Sequence, residues 1–413
     1  MSTKYVILGA GPAAQAAAKE INLYDDDAQI TLYSAEDSAP YSPVALPYLL
    51  SGEMKEEDLF YKCTALPAEN ISFFRNKKAA SVDPASKTVL FEDGETAVYD
   101  RLLVAIGASP AGKDIPGIAR EDVFVFRTLA DYKALQDRLE RENKEVVICG
   151  GGLVAVEVAE KLASAGCTVT VVVRSRLLRK YFSEEMGACI TELLRKHGIS
   201  VRDGRNVAAA SKKDGKIRLT LDDNTALSAD LVVAAMGVNP NSLDGLETDG
   251  AIEVDEYMRT KWEDVYAAGD VASVLLFNGE KRPCPISPEA AAQGKTAGRC
   301  MAGAKVPYDA AVPANYLRIM DQDFFSMGVS EGNRADGFVT LKKQEEDSFL
   351  RLTIKDGCLV GAEGRNRKDI HPGLLRFLIR SGVYVEGEKD LLLEKPKETA
   401  LWLAEQCRRA GIG

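Results

Sequence analysis

Tyr5-Val6-Ile7-Leu8-Gly9-Ala10-Gly11-Pro12-Ala13-Ala14 decides the fold of this chain. The apolar run Lys4 to Leu8 predicts a strand, the glycines a tight turn, and the alanine-rich stretch to about Asn22 a helix. Gly9 permits the turn, Gly11 lets backbone approach a pyrophosphate, and the small Ala14 lets helix pack on strand. The N–H groups and dipole of the helix start then face anionic oxygens, making Gly9, Gly11, Pro12, Ala13 and Ala14 candidate contacts to a dinucleotide. A second strand, Gln29 to Ser34, ends just before Glu36, at the offset of a carboxylate that accepts hydrogen bonds from an adenosine ribose; Asp37 is the competing choice.

Glycine turns also join strands to helices for packing alone, so a second copy matters. Glu145 to Cys149 leads into Gly150-Gly151-Gly152-Leu153-Val154, then a helix carrying Glu157, then the strand Thr168 to Val173. Gly150, Gly152, Leu153 and Val154 are the matching candidates in this second strand–turn–helix–strand unit. It closes on Arg174-Ser175-Arg176 rather than on a carboxylate. An acid there would bind ribose hydroxyls and repel a 2′-phosphate, whereas Arg174 can bind that phosphate, so NADPH is at least tolerated. Arg179 and Lys180 add positive charge, and a solvated basic edge from Arg174 to Lys180 is the alternative reading.

Length and composition set bounds on what the chain does. At 413 residues it is too long for one ordinary core and implies two to three domains. No apolar run approaches the roughly 20 residues that span a bilayer. No basic stretch with a cleavage site opens the chain, so a cytoplasmic protein is expected. A net charge of −10 argues against nucleic acid and anionic lipid as partners. The eight cysteines form no C-x-x-C or C-x-x-x-x-C pair, which removes dithiol, zinc and iron–sulfur signatures and suits a reducing compartment. No metal ligand set is expected.

With the segment Val265-Tyr266-Ala267-Ala268-Gly269-Asp270, the two glycine units resemble the two-dinucleotide-fold flavoprotein family, the pyridine nucleotide-disulfide oxidoreductase fold. The resemblance is strong over about the first 300 residues and weak beyond. It implies an α/β protein with two Rossmann-like dinucleotide-binding domains plus a C-terminal α+β domain. The FAD-binding domain would take residues 1–112 and 243–304, the NAD(P)-binding domain 113–242, and a dimerisation or interface domain 305–413. FAD and NAD(P) are the implied cofactors. Asp270 would accept hydrogen bonds from the ribityl chain while Gly269 admits it. Two strands end in the family's crossover pattern, placing Ala105 and Gly107, and later Gly237, where the chain leaves each fold. Ala79 matches the residue whose backbone meets adenine, Glu157 an acid facing the nicotinamide, and Arg127 an arginine near FAD, with a surface ion pair as its alternative. Pro288 to Gly294, including Glu289, resembles the helix start that aims its dipole at the flavin pyrimidine.

Disulfide-reducing members carry cysteine in the helix after the first strands, but here that stretch reads Ala39-Pro40-Tyr41-Ser42-Pro43-Val44-Ala45-Leu46-Pro47-Tyr48. Ser42 and Pro43 stand beside the expected flavin, and neither forms a thiolate. Cys63 is the nearest alternative thiol, with Lys62 beside it. No protein nucleophile is therefore assigned, and the flavin itself is the working group. The stretch from Pro40 to Glu53 is similar to rubredoxin reductase, the flavin part of nitrite reductase, and the flavin subunit of phenylglyoxylate dehydrogenase. This implies an oxidoreductase passing electrons between NAD(P)H and an iron–sulfur or rubredoxin-type protein, as a homodimer or as a subunit of a complex; the direction stays open. An oxygen-using NADH oxidase and a flavin-binding assembly subunit with a vestigial nucleotide site are the alternatives. Both histidines, His197 and His371, read as structural or exposed, and Arg365-Asn366-Arg367-Lys368 as a solvated loop or a docking patch.

Overall fold

The structure, a computed structural model, describes residues 2–61, 69–139, 144–246, 248–330 and 337–411. The strand Lys4–Leu8 is buried from its second residue onward, the pattern of a strand covered on both faces of a parallel sheet. It lies in the middle of a five-stranded parallel sheet ordered Val265–Ala267, Arg101–Val104, Lys4–Leu8, Gln29–Tyr33, Ile71–Phe74. Glu145–Cys149 holds the same middle place in a second one, ordered Ser200–Asp203, Thr168–Val173, Glu145–Cys149, Leu231–Ala234, Val123–Phe124. The expected first helix runs Pro12–Tyr24, with proline at its start.

That helix packs on Ser287–Met301 with unusual closeness. A side chain at Gly294 would place its Cβ 2.1 Å from the Ala13 carbonyl oxygen, and one at Gly298 2.5 Å from that of Ala17. Small residues one helical turn apart on both helices let the two backbones touch. Arg299 then closes the pair with a 2.8 Å ion pair to the buried Glu20.

The chain divides into two compact units. Met1–Leu46, Met54–Ser109 and Val238–Ala311 form the first, and Pro47–Glu53, Pro110–Gly237 and Val312–Gly413 the second. The sequence-based division is finer, and we retain it as a proposal, because the second unit contains both the second parallel sheet and an antiparallel C-terminal sheet. Its bounds differ in detail: Pro47–Glu53 packs within the second unit, the first unit leaves off at Ser109 and resumes at Val238 rather than at 112 and 243, and it runs on to Ala311.

The C-terminal sheet is five-stranded, ordered Ala314–Ile319, Gln322–Gly328, Cys358–Arg365, Phe349–Lys355, Phe338–Gln344. Phe349–Lys355 and Cys358–Arg365 turn on Gly357, whereas the first hairpin turns at Met320, φ 54°, a residue that gives no turn signal in sequence. Gly364 leaves room for Phe325, whose ring would lie 2.4 Å from a Cβ there. The closing helix spans Pro396–Arg409. Smaller sheets include two antiparallel ones, Ala79–Asp83 with Thr88–Phe91 and Thr96–Val98, and Val207–Lys213 with Lys216–Leu221 and Ala226–Ala229. Among the described residues no helix is long and apolar enough to cross a membrane.

Candidate functional site

The two glycine turns are built alike. Gly9 has φ +122°, and a Cβ there would stand 2.2 Å from the Ala105 carbonyl oxygen. Its N–H donates to Tyr33 O at 2.8 Å, while Ala105 N–H donates to Leu8 O at 2.8 Å. Gly150 has φ +137°, and its Cβ would stand 2.1 Å from Ala235 O. Gly150 N–H donates to Val172 O at 2.9 Å, and Ala235 N–H to Cys149 O at 2.8 Å. In both turns the neighbouring crossover strand closes the back so tightly that only glycine fits. The front differs: no atom lies within 4 Å of a Cβ built on Gly11, and only the edge of Tyr181 comes to 4.0 Å at Gly152. Gly11 and Gly152 cap their helices with no side-chain hydrogen bond, so no capping side chain competes for the first N–H groups of either helix.

Residues around the first turn fit a dinucleotide. Glu36 is half-buried and accepts a 2.6 Å hydrogen bond from Tyr41 OH, while Asp37 is exposed with Arg75 4.0 Å away. The structure therefore holds Glu36 in place and leaves Asp37 at the surface. Gly269 N–H donates at 2.8 Å to Oε1 of Gln293, which is fully buried. The other end of that amide, Nε2, has no hydrogen-bond partner among the described residues, and neither does the buried amide of Gln15 on the first helix. Buried amide ends without a partner among the described residues, such as that of Gln293 beside Gly269, suit a polar ligand chain. Asp270 is half-buried. Glu289 is buried at the start of the Ser287–Met301 helix and accepts a hydrogen bond from Tyr308 OH, so one carboxylate oxygen is engaged within the protein. Burial, then the Glu289 charge, raises the Tyr308 phenol.

The other first-unit candidates are backbone positions. Gly107 has φ +69° and accepts from Asn241 N–H at 3.0 Å, while Asn241 Nδ2 donates to Ile106 O at 2.7 Å. Ala79 lies at a strand bulge and is half-buried. Ser42 N–H donates to Leu59 O at 3.1 Å, and Pro43 opens a short 3₁₀ turn. Ala13 and Ala14 are buried in helix packing.

In the second unit, Gly237 has φ +112° and accepts from Ala111 N–H at 2.9 Å. Leu153 and Val154 open the Leu153–Ser164 helix, with Val154 exposed. After Thr168–Val173, Arg174 is exposed, whereas Arg176 turns inward and donates to the carbonyls of Leu177, Phe182 and Ser183. The loop thus offers Arg174 to a ligand and uses Arg176 to hold its own shape. Arg127 lies in the second unit, where its backbone N–H donates to Asp131.

Glu157 sits one turn into the same helix, half-buried, and burial pushes its carboxyl up to about 7, with Lys161 opposing and Glu160 adding to the shift. Sequence reasoning missed the group around it. Lys161 Nζ lies 2.6 Å from Glu53 Oε1 and 2.9 Å from Glu160 Oε2, and 4.8 Å from the centroid of the Tyr48 ring. Glu53 and Lys161 are 108 residues apart, and no local pattern joins them.

The remaining candidates carry less. Cys63 lies outside the described residues. The other seven cysteines form no disulfide, and burial pushes the Cys149 thiol up to about 12. His197 Nδ1 lies 2.9 Å from Leu193 O at a helix end, and His371 precedes the Pro372–Arg380 helix. Of the basic run after the C-terminal sheet, Arg365 donates to Cys189 Sγ and Glu346 O, and Arg367 pairs with Asp369. Two of its three cations are therefore engaged internally, which removes most of the charge a docking patch would use.

Known proteins share this arrangement. The NADH-dependent phenylglyoxylate dehydrogenase subunit epsilon of Aromatoleum evansii is 35% identical over 373 residues, covering 88% of both chains. Among solved structures, an NAD-dependent persulfide reductase from A. fulgidus superposes with a TM-score of 0.87 at 26% identity, covering 99% of this chain and 84% of that one. An engineered water-forming NADPH oxidase bound to NADPH, derived from the Lactobacillus brevis NADH oxidase, gives 0.85 at 25% identity over 93% and 92%. The model of one family matches residues 3–294, and with both glycine turns inside that span the chain belongs to the pyridine nucleotide-disulphide oxidoreductase family.

Proposed function

We propose that this protein is an FAD-dependent oxidoreductase that moves electrons between NAD(P)H and an iron–sulfur or rubredoxin-type protein, as the flavin subunit of a 2-oxoacid dehydrogenase complex of the phenylglyoxylate type. The observation that carries this reading is the pair of matching turns, Gly9 against Ala105 and Gly150 against Ala235, joined to a cysteine-free Ala39–Tyr48 stretch. FAD, when bound, supplies a hydride acceptor that also releases electrons singly. The chain's own residues bind and orient. The helix start after Gly11 takes a pyrophosphate, Glu36 the adenosine ribose, and Asp270 a ribityl hydroxyl. The Gly150–Val154 turn takes the nicotinamide nucleotide, and Glu157 holds a proton near neutral pH beside it. The relationship to an epsilon subunit supports a complex, and seven cysteines outside any disulfide suit the reducing cytoplasm.

Arg174 is placed to take the 2′-phosphate of NADPH. In the NADPH-bound engineered oxidase, three consecutive substitutions remove an aspartate and introduce an arginine and a serine. Here Val173-Arg174-Ser175 carries the same absence of acid and the same Arg-Ser order. The relative from Aromatoleum is NADH-dependent by name, so the nucleotide is decided by experiment. Anaerobic mixing of the FAD-loaded protein with NADPH or NADH should bleach the flavin. If neither does, the reading is wrong; rapid turnover with oxygen alone would instead support an oxidase. Iron–sulfur absorbance in natively purified material would identify the complex.

A further inference from the structure

Lys161 is a cation almost sealed from solvent, with 9% of its side chain exposed, facing Glu160 with 5% and Glu53 with 50%. A lysine in such a place needs both carboxylates, since removing one partner leaves a buried charge uncompensated. Glu160 shares its helix, but Glu53 arrives from a segment that the chain brings in from far upstream. That segment is shaped to present it. Gly52, φ +73°, donates its N–H to Leu49 O at 3.2 Å, and Ser51 Oγ donates to Glu53 Oε1 at 2.8 Å. Tyr48, from the same segment, lies under the Lys161 ammonium.

We propose that Lys161 is a positioning residue of the nucleotide half-site: it clamps Pro47–Glu53 and the Tyr48 ring onto the helix that follows the second glycine turn, and fixes the electrostatic surroundings of Glu157. The inference rests on the reading that this turn binds NAD(P)H. Glu157 and Lys161 stand four residues apart on one helix and so share a face. The charged and titratable groups facing Glu157 are Lys161, which favours its carboxylate, and Glu160, which opposes it. Tyr48 senses the charge of Glu157 in turn, and Arg318 acts on Glu53 from the Ala314–Ile319 strand. The segment, the helix and the carboxyl group therefore form one electrostatic unit with a single cation at its centre.

Three variants of the FAD-loaded protein test this: Lys161→Met, Lys161→Arg and Glu53→Gln. Backbone amide hydrogen exchange over residues 48–53 should quicken at least tenfold in Lys161→Met and Glu53→Gln and stay near wild type in Lys161→Arg. The Glu157 carboxyl, followed by carbon-13 NMR and assigned with Glu157→Gln, should titrate at least half a pH unit higher in Lys161→Met. NADP⁺ should bind that variant at least fivefold more weakly. Unchanged exchange in both Lys161→Met and Glu53→Gln overturns the clamp, and an unmoved Glu157 titration overturns its electrostatic role. Glu53 is at the surface, so its variant reports even where Lys161→Met fails to fold. Wild type that binds no NADP⁺ would instead sink the nucleotide reading, with the exchange result still judging the clamp.

Discussion

Replacing Glu157 with glutamine should make the protein more stable at alkaline pH and change it far less at acid pH. The carboxyl is raised from 4.5 to about 7, chiefly by burial. Its folded value exceeds its unfolded one, so the native state holds a proton the unfolded chain has already lost, and stability falls as pH rises between those two values. The full shift, about 2.5 pH units at about 1.4 kcal/mol each, would be about 3.5 kcal/mol. Between pH 5 and pH 8.5 about three quarters of it is traversed, and partial exposure reduces the effect further, leaving about 2 kcal/mol. Glutamine keeps the shape and hydrogen-bonding capacity without the ionisation. Guanidinium unfolding of both proteins at the two pH values should therefore show the stability difference, variant minus wild type, growing by about 2 kcal/mol on going to pH 8.5. A difference that stays constant with pH, or shrinks, would refute the assignment of a buried, high-pKa carboxyl to this position.

Gly9→Ala should cost about 2–3 kcal/mol of stability and abolish FAD retention, since its Cβ would meet the Ala105 carbonyl at a φ of +122°. Gly11→Ala meets no atom within 4 Å and should leave apoprotein melting unchanged while weakening FAD binding, read by flavin fluorescence. Arg174→Ala should raise the KM for NADPH about tenfold, with that for NADH moving less than twofold, the size of one exposed charge-assisted hydrogen bond. Gln293→Leu removes the acceptor for Gly269 N–H and should cost about 1–3 kcal/mol in thermal or denaturant unfolding, with faster FAD loss. Glu363→Ala should destabilise by about 1–3 kcal/mol, because it removes an ion-pair partner 3.7 Å from the buried Arg351 and the acceptor of Ser183 N–H; the double replacement Arg351→Met, Glu363→Leu should cost less.

The glycines were legible because their role is local and absolute: Gly9 and Gly150 each combine a positive φ with a carbonyl too near for any side chain, and a strand before and helix after announce them. The position of Arg174, exposed directly after the strand Thr168–Val173, was legible for a similar reason. Its neighbour Arg176 was not, since its three carbonyl acceptors are gathered by the turn through Leu177 to Ser183. The amide of Gln293 reaches Gly269 across 24 residues, and Lys161 reaches Glu53 across 108, distances over which neither periodicity nor spacing speaks. The small antiparallel sheets went unread although Asp93-Gly94 and Asp214-Gly215 mark two of their turns. The Ala314–Gly328 hairpin offers no such mark at Met320.

The backbone contact between Pro12–Tyr24 and Ser287–Met301 has a consequence for how the protein is made. A ribosome adding about 5–20 residues per second reaches the second helix tens of seconds after the first has emerged. Through that interval the alanine face around Ala13 and Ala17 has no glycine ridge to rest on, and the strand Val265–Ala267 that closes its sheet does not yet exist. The first unit therefore assembles only late in synthesis, and until then its uncovered alanine face is a surface for holding chaperones.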